Sequence, residues 1–214
     1  SEVVGEIKTV EDQADICRQL TAESVAFIRA NRAKPFFLYL PHVFVHVPRS
    51  AVRKEFQPSP DPLEGQVREV DWSVGQIIDC LMAEGLDKNT LIVFTSDNGG
   101  GRESENGPLR GTKGTAFEGG QRVSMIARWP AGIKPGTVCG ELATNMDLLP
   151  TFTAFARAKI PTDRVIDGRD IGPLLRGGAE AKSPHQEFFY HQENKLRAVR
   201  AGEWKLFNTG ELYH

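Results

Sequence analysis

A run of β-forming residues, Thr90 to Thr95 (TLIVFT), breaks into Ser96-Asp97-Asn98 and then three glycines, and this junction limits what the chain can build. Asn-Gly after a strand is the usual mark of a tight hairpin, which needs a second strand at once. The next residues, Gly100-Gly101-Arg102-Glu103-Ser104-Glu105-Asn106, cannot supply one. A strand that feeds a polar, glycine-rich loop is instead how α/β proteins present ligands at the carboxyl end of a sheet. Asp97 and Asn98 offer a carboxylate and a carboxamide oxygen, hard ligands suited to Ca²⁺ or Mg²⁺ rather than Zn²⁺. Metal ligation and an ordinary loop both remain open on this dipeptide alone.

A second glycine cluster, Gly111 to Gly120, surrounds Lys113 and Glu118. Its spacing is not that of a Walker A loop, because Gly114 stands where Ser or Thr should follow the lysine. Glycines still let backbone N–H groups converge on an anion, to which Lys113 would add a point charge. The alternative is a solvated lysine on a loop. His42 and His46 read as HxxxH, but the prolines and valines around them make the segment extended. Four residues of extended chain span ~13 Å, too far for one shared metal ion. Either histidine alone is a candidate acid or anion ligand, or a core residue.

The elements around these loops predict an α/β chain. Thr9 and Asp12 form a capping-box pattern opening a helix whose face carries Ile16, Leu20, Phe27 and Ile28, ending near Ala33 before Pro35. Phe36 to Leu40 reads as a buried strand, and Gln57 to Pro62 as a loop. Leu63, Val67, Val70, Val74, Ile77, Ile78 and Leu81 predict an amphipathic helix closed by Gly85. Strand, helix and strand in this order suggest a crossover with parallel strands. Ser124 to Arg128 reads as a further strand, and Thr144 with Asp147 opens a helix through Phe155. Beyond Pro161 the texture changes to short strands, Glu187–His191, Leu196–Arg200 and Glu203–Phe207, with a turn at Ala201-Gly202. The chain is therefore expected to divide into 1–160 and a small antiparallel part, 161–214.

Composition excludes several classes. Lys+Arg 26 against Asp+Glu 28 leaves a net charge of -2, without the basic excess of a general nucleic-acid binder. No apolar run reaches membrane-spanning length. Three scattered cysteines, Cys17, Cys80 and Cys139, make neither a disulfide framework nor a zinc pattern.

Three segments together resemble the sulfatases of the alkaline-phosphatase superfamily: PFFLYLPHVFVHVP at 35–48, TLIVFTSDNG at 90–99 and LRGTKGTAFEGG at 109–120. Similarity continues, in the family's order, through Trp129–Gly132, Asp147–Thr151, Asp167-Gly168 and Ala198–Lys205. The resemblance implies part of an alkaline-phosphatase-like sheet with flanking helices, plus the start of a small C-terminal antiparallel β subdomain. It implies that Asp97 and Asn98 are Ca²⁺ ligands (Mg²⁺ being the other candidate), and that Lys113 and His46 contact the sulfate group, His46 also facing the leaving-group oxygen. The substrate class implied is a small-molecule or glycan sulfate ester, with an exported, periplasmic or lysosomal setting.

The family's nucleophile is a formylglycine made from Cys or Ser in C/S-x-P-x-R. No cysteine or serine of this chain fits that pattern. The resemblance thus implies the carboxyl-terminal part of a sulfatase, with the formylglycine expected upstream and the 214-residue chain inactive by itself. Two other readings remain: a phosphodiester or phosphonate hydrolase of the same superfamily, and a non-catalytic binding module. The loop Arg49–Pro62 is a candidate for substrate selection.

Overall fold

A computed structural model describes residues 6–47, 52–56, 62–101, 104, 106–177 and 180–214. The chain divides into two compact units, Ser1–Thr90 and Leu91–His214. Most of the loop read at Gln57–Pro62, and with it much of Arg49–Pro62, lies outside the described residues.

The first unit is helical. Helix α1 (Val10–Ala14) starts at the Thr9–Asp12 capping box, in which each side chain takes the other's backbone N–H. Helix α2 (Ile16–Asn31) follows, and α3 (Pro62–Ala83) packs against it. Gly85, at φ +70°, ends α3 in a Schellman arrangement: Leu86 N–H donates to the Leu81 carbonyl and Gly85 N–H to that of Met82.

The face each helix buries follows the apolar stripe only in part: Ile28, Val70 and Leu81 are buried as expected, beside polar residues that the stripe does not include. Helix α2 buries Cys17, Thr21, Ser24 and Ile28. Helix α3 buries Gln66, Glu69 and Ser73 completely, while Val67 stays half exposed. Small side chains let the two helices approach until the Thr21 and Ser73 hydroxyls meet at 2.6 Å. Glu69 is compensated by Arg53, whose Nε donates at 2.7 Å. Apolar periodicity cannot register such a seam, because each polar group in it depends on a partner distant in sequence.

Residues 35–40 form no ladder with the described residues, so the strand expected at Phe36–Leu40 is not formed. The segment is extended, with exposure alternating so that Phe37 and Tyr39 are open while Phe36 meets the Phe27 ring edge-on at 5.9 Å. A run apolar on both faces is here covered on one.

In the second unit, β1 (Ile92–Thr95) precedes a short helix α4 (Glu118–Gln121) and β2 (Met125–Arg128). β1 pairs with β2 antiparallel, in the register Ile92↔Arg128 to Thr95↔Met125. Helix α5 (Leu148–Phe155) begins after the expected cap, where the Asp147 carboxylate accepts the Thr144 N–H at 2.7 Å. Asp147 is fully buried and also accepts from Arg169 N–H and pairs with His185 Nε2 at 2.7 Å. A single turn, α6 (Gly172–Leu175), leads to four antiparallel strands: β3 (Glu187–Gln192), β4 (Lys195–Ala201), β5 (Trp204–Phe207) and β6 (Leu212–Tyr213).

The β4–β5 turn is Gly202-Glu203, one residue later than expected, since Ala201 pairs with Trp204. The β3–β4 turn uses Glu193 and Asn194, both at positive φ, as a two-residue hairpin with right-handed strand twist requires. Among the described residues no helix is long and apolar enough to cross a membrane.

Candidate active site

The loop after β1 is built from backbone closures rather than side-chain packing. Gly99 N–H donates to the Gly120 carbonyl at 3.1 Å, Lys113 N–H to Gly100 at 2.9 Å, and Gly119 N–H to Arg110 at 2.8 Å. These bonds fold the lysine loop back onto the residues following Asp97 and Asn98. The approach leaves no room for side chains: a Cβ on Gly99 would stand 1.9 Å from the Gly119 carbonyl oxygen, and one on Gly119 2.2 Å from that of Gly111.

Two asparagines that sequence reasoning passed over hold this crossing. Asn106 accepts the Gly100 N–H at 2.8 Å and donates to the carbonyls of Gly100 (3.3 Å) and Gly111 (3.1 Å). Asn145 donates to the Ser96 carbonyl at 2.9 Å and accepts from the Thr95 hydroxyl at 3.3 Å, fixing the end of β1. Asn106 was legible as part of a polar loop, but its partners are single backbone atoms that no spacing announces.

Asp97 is exposed and Asn98 half-buried. The Ser96 hydroxyl lies 3.5 Å from Asp97 Oδ1, and no Lys or Arg pairs with that carboxylate among the described residues. Two adjacent hard oxygen donors at a strand end suit Ca²⁺, which takes six to eight oxygens. Two donors are fewer than such a shell needs. Among the described residues no group of three or more His, Cys, Asp or Glu side chains is placed to hold a metal ion.

Lys113 presents an exposed side chain on a turn closed by Thr115, whose N–H and hydroxyl both reach the Thr112 carbonyl. Its neighbours are tied to the C-terminal sheet. Gln192, at the end of β3, donates to the Gly114 carbonyl at 2.8 Å. Lys205 on β5 donates to the Ala116 carbonyl at 2.5 Å and to Glu118 at 2.9 Å. Glu118 also accepts from Tyr190 at 3.1 Å and Arg200 at 3.2 Å.

Charge inside this cluster follows from burial and pairing. Burial pushes the Glu118 carboxyl up, but Lys205, Tyr190 and Arg200 outweigh it and hold it below its ordinary value. Burial lowers the Lys205 ammonium, against the pull of Glu118. Burial and the neighbouring Glu118 raise the Tyr190 phenol. β5 buries Lys205 while leaving Trp204 and Leu206 half exposed, inverting the usual alternation. Lys205 shares its face with Phe207, which belongs with Phe188 to the core of Ala116, Tyr190 and Ala198.

His46 belongs to the first unit, on an exposed segment anchored at both sides. Phe44 packs with Cys17 and Val70, and Gln66 donates to the His46 carbonyl at 3.3 Å. His42 is drawn inward, with Cys17 Sγ 3.8 Å from Nδ1 and Ser73 Oγ 3.5 Å from Nε2, and burial lowers its pKa. The two histidines therefore have different surroundings: His42 serves as an anchor and His46 is open.

A sulfatase family model matches residues 7–158. The chain belongs to the sulfatase family. A second model, for the C-terminal part of N-sulphoglucosamine sulphohydrolase, matches residues 112–209, which include most of the lysine loop and strands β3 to β5. Mouse steryl-sulfatase is 40% identical over 92% of this chain and 34% of its own length. Mouse N-acetylgalactosamine-6-sulfatase is 40% identical over 90% and 38%. The chain thus spans about a third of the length of the curated relatives it matches. Among solved structures, the PsFucS1 sulfatase from Pseudoalteromonas sp. superposes with a TM-score of 0.90 at 30% identity, covering 96% of this chain and 43% of that one. The fold is accordingly mixed α/β and sulfatase-like, with a C-terminal four-stranded antiparallel sheet.

Proposed function

We propose that the protein carrying this chain hydrolyses sulfate esters, and that the crossing of the β1 loop and the lysine loop forms one wall of its active site. The observation that supports this reading is the pair of closures, Gly99 to Gly120 and Lys113 to Gly100, which folds the backbone of the lysine loop onto the residues that follow Asp97 and Asn98. In this reading Asp97 and Asn98 hold a Ca²⁺ ion, or Mg²⁺ in its place. Such a metal supplies charge stabilisation at the sulfate oxygens. Lys113 adds a second positive charge to those oxygens, the kind of preorganised stabilisation that contributes most to such reactions. His46, in the first unit, is a candidate contact to the sulfate and the leaving-group oxygen on the strength of the family resemblance alone.

The residues of this chain bind and orient, and no attacking group is assigned among them. None of its cysteines or serines lies in C/S-x-P-x-R, the setting the family's formylglycine nucleophile requires. The substrate class is a small-molecule or glycan sulfate ester. Support comes from the names of similar proteins: one structure is a complex with a neocarrahexaose and another with D-glucosamine-2-N,6-O-disulfate. The antiparallel part from residue 161 onward is proposed as a subdomain that supports the lysine loop.

The test compares aryl sulfate with aryl phosphodiester turnover in a catalytically complete protein containing this chain, with and without Lys113→Ala. We expect a sulfate preference and a loss of about 10²–10³-fold in kcat/KM for the variant. A phosphodiester preference would refute the substrate assignment. Unchanged sulfate turnover in Lys113→Ala would refute the role of the lysine.

A further inference from the structure

Outside the residues that would face substrate, a heavily bonded cluster in the second unit surrounds Glu118. Its carboxylate accepts three donors from the C-terminal sheet: Tyr190 on β3, Arg200 on β4 and Lys205 on β5. Lys205 is 7% exposed, and its ammonium sits 3.5 Å from the centre of the Tyr190 ring. A buried lysine with a carboxylate, a carbonyl and an aromatic face around it has its charge satisfied locally. It is thereby committed to holding one arrangement.

That arrangement includes Lys113. The Ala116 carbonyl taken by Lys205 lies three residues after Lys113, and the Gly114 carbonyl taken by Gln192 lies one after it. On the other side, Gln121 donates to the Thr115 carbonyl at 2.9 Å, and the Lys113 amide is held by Gly100. The turn carrying Lys113 therefore has its backbone pinned from β3, β5, α4 and the β1 loop. Its own side chain makes none of these bonds.

We propose that Lys205, acting through Glu118 and the Ala116 carbonyl, is a positioning residue for Lys113, so that the C-terminal sheet sets the geometry of the sulfate-binding lysine. This rests on the reading of Lys113 given above. A displacement of the order of 1 Å at a charge-stabilising group can lower a rate about a hundredfold. Removing the clasp is therefore expected to lower kcat with little change in KM.

The experiment uses the catalytically complete protein and the variants Lys205→Met, Lys205→Arg, Lys113→Ala and the double variant Lys205→Met/Lys113→Ala. Lys205→Met should lower kcat about ten- to a hundredfold at nearly constant KM, and Lys205→Arg should recover part of it. In the Lys113→Ala background the same Lys205→Met change should lower kcat less than threefold, because the group being positioned is gone. A purely structural lysine would give the same loss in both backgrounds, and that result overturns the proposal. Normal kcat in Lys205→Met alongside a deficient Lys113→Ala also overturns it, while leaving the role of Lys113 intact. Normal kcat in Lys113→Ala would instead remove the reading on which the proposal rests. Should Lys205→Met fail to fold, Glu118→Gln, which keeps the side-chain shape and drops the charge, takes its place with the same expected pattern. Amide exchange in the same catalytically complete protein gives a readout independent of turnover: Thr115 to Gly120 should exchange faster in either variant, and unchanged protection refutes the clasp.

Discussion

Replacing Asn106 by Ala removes three hydrogen bonds at once, those to Gly100 N–H, the Gly100 carbonyl and the Gly111 carbonyl. The bond at 3.3 Å is long and contributes least. The other two, at 2.8 and 3.1 Å, are ordinary amide bonds worth about 1 kcal/mol each net. Asn106 is half-buried, so water can reach part of what it leaves behind. The expected loss is therefore about 2 kcal/mol, concentrated in the crossing of the two loops. Local opening that is 2 kcal/mol easier speeds exchange of the protected amides by roughly 30-fold. The amides to follow are Gly99, Gly100, Lys113 and Gly119, with α3 of the first unit as an internal reference that should not change. Asn106→Asp keeps the acceptor for Gly100 N–H and loses the donors, so its effect should fall between Ala and wild type. Acceleration below about threefold at Lys113 and Gly99, or equal acceleration in α3, would refute the view that Asn106 fastens the crossing locally.

Two further outcomes follow from the same region. Glu118 titrates below its ordinary value of 4.5 in the folded chain, so its ionised form contributes stability above that pH. That contribution is lost as pH falls through the lower folded value. The urea midpoint of the chain should accordingly drop below pH 4.5, and Glu118→Gln should flatten that slope; an identical slope in the variant would contradict the pairing of Glu118 with Lys205, Arg200 and Tyr190. Gly119→Ala places a Cβ 2.2 Å from the Gly111 carbonyl oxygen, with backbone rather than a flexible side chain in the way. It should destabilise the loop crossing by about 1–3 kcal/mol, measured by thermal unfolding, and a melting temperature equal to wild type would show that the loops can separate without cost.

The parts of this chain that were legible in its sequence are those written in local chemistry. Both capping boxes and the Gly85 stop lie where adjacent residues predicted them, and β3, β4 and β5 lie within a residue of their predicted bounds. Asp97, Asn98 and Lys113 stood out because glycines and polar residues interrupt an apolar strand. The seam between α2 and α3 was not legible, because Thr21, Ser73 and Glu69 are buried by virtue of partners far along the chain. The segment 36–40 was overread, since five apolar residues cannot announce which of their faces will be covered. Gln192 and Lys205 were missed for the same reason as Asn106: each satisfies one carbonyl on the lysine loop, and hydrophobic patterning has no term for that.

The ion pair between Glu118 and Lys205 joins positions 87 residues apart. At synthesis rates of about 5–20 residues per second, Lys205 leaves the ribosome roughly 4–17 s after Glu118. Loop closure over that distance must precede any reward from the contact, which slows folding relative to the local helices. The lysine loop thus takes its final shape late, when β5 arrives. Nascent chains stalled before residue 205 would already carry Asp97, Asn98 and Lys113, yet lack the strand that holds the lysine turn in place.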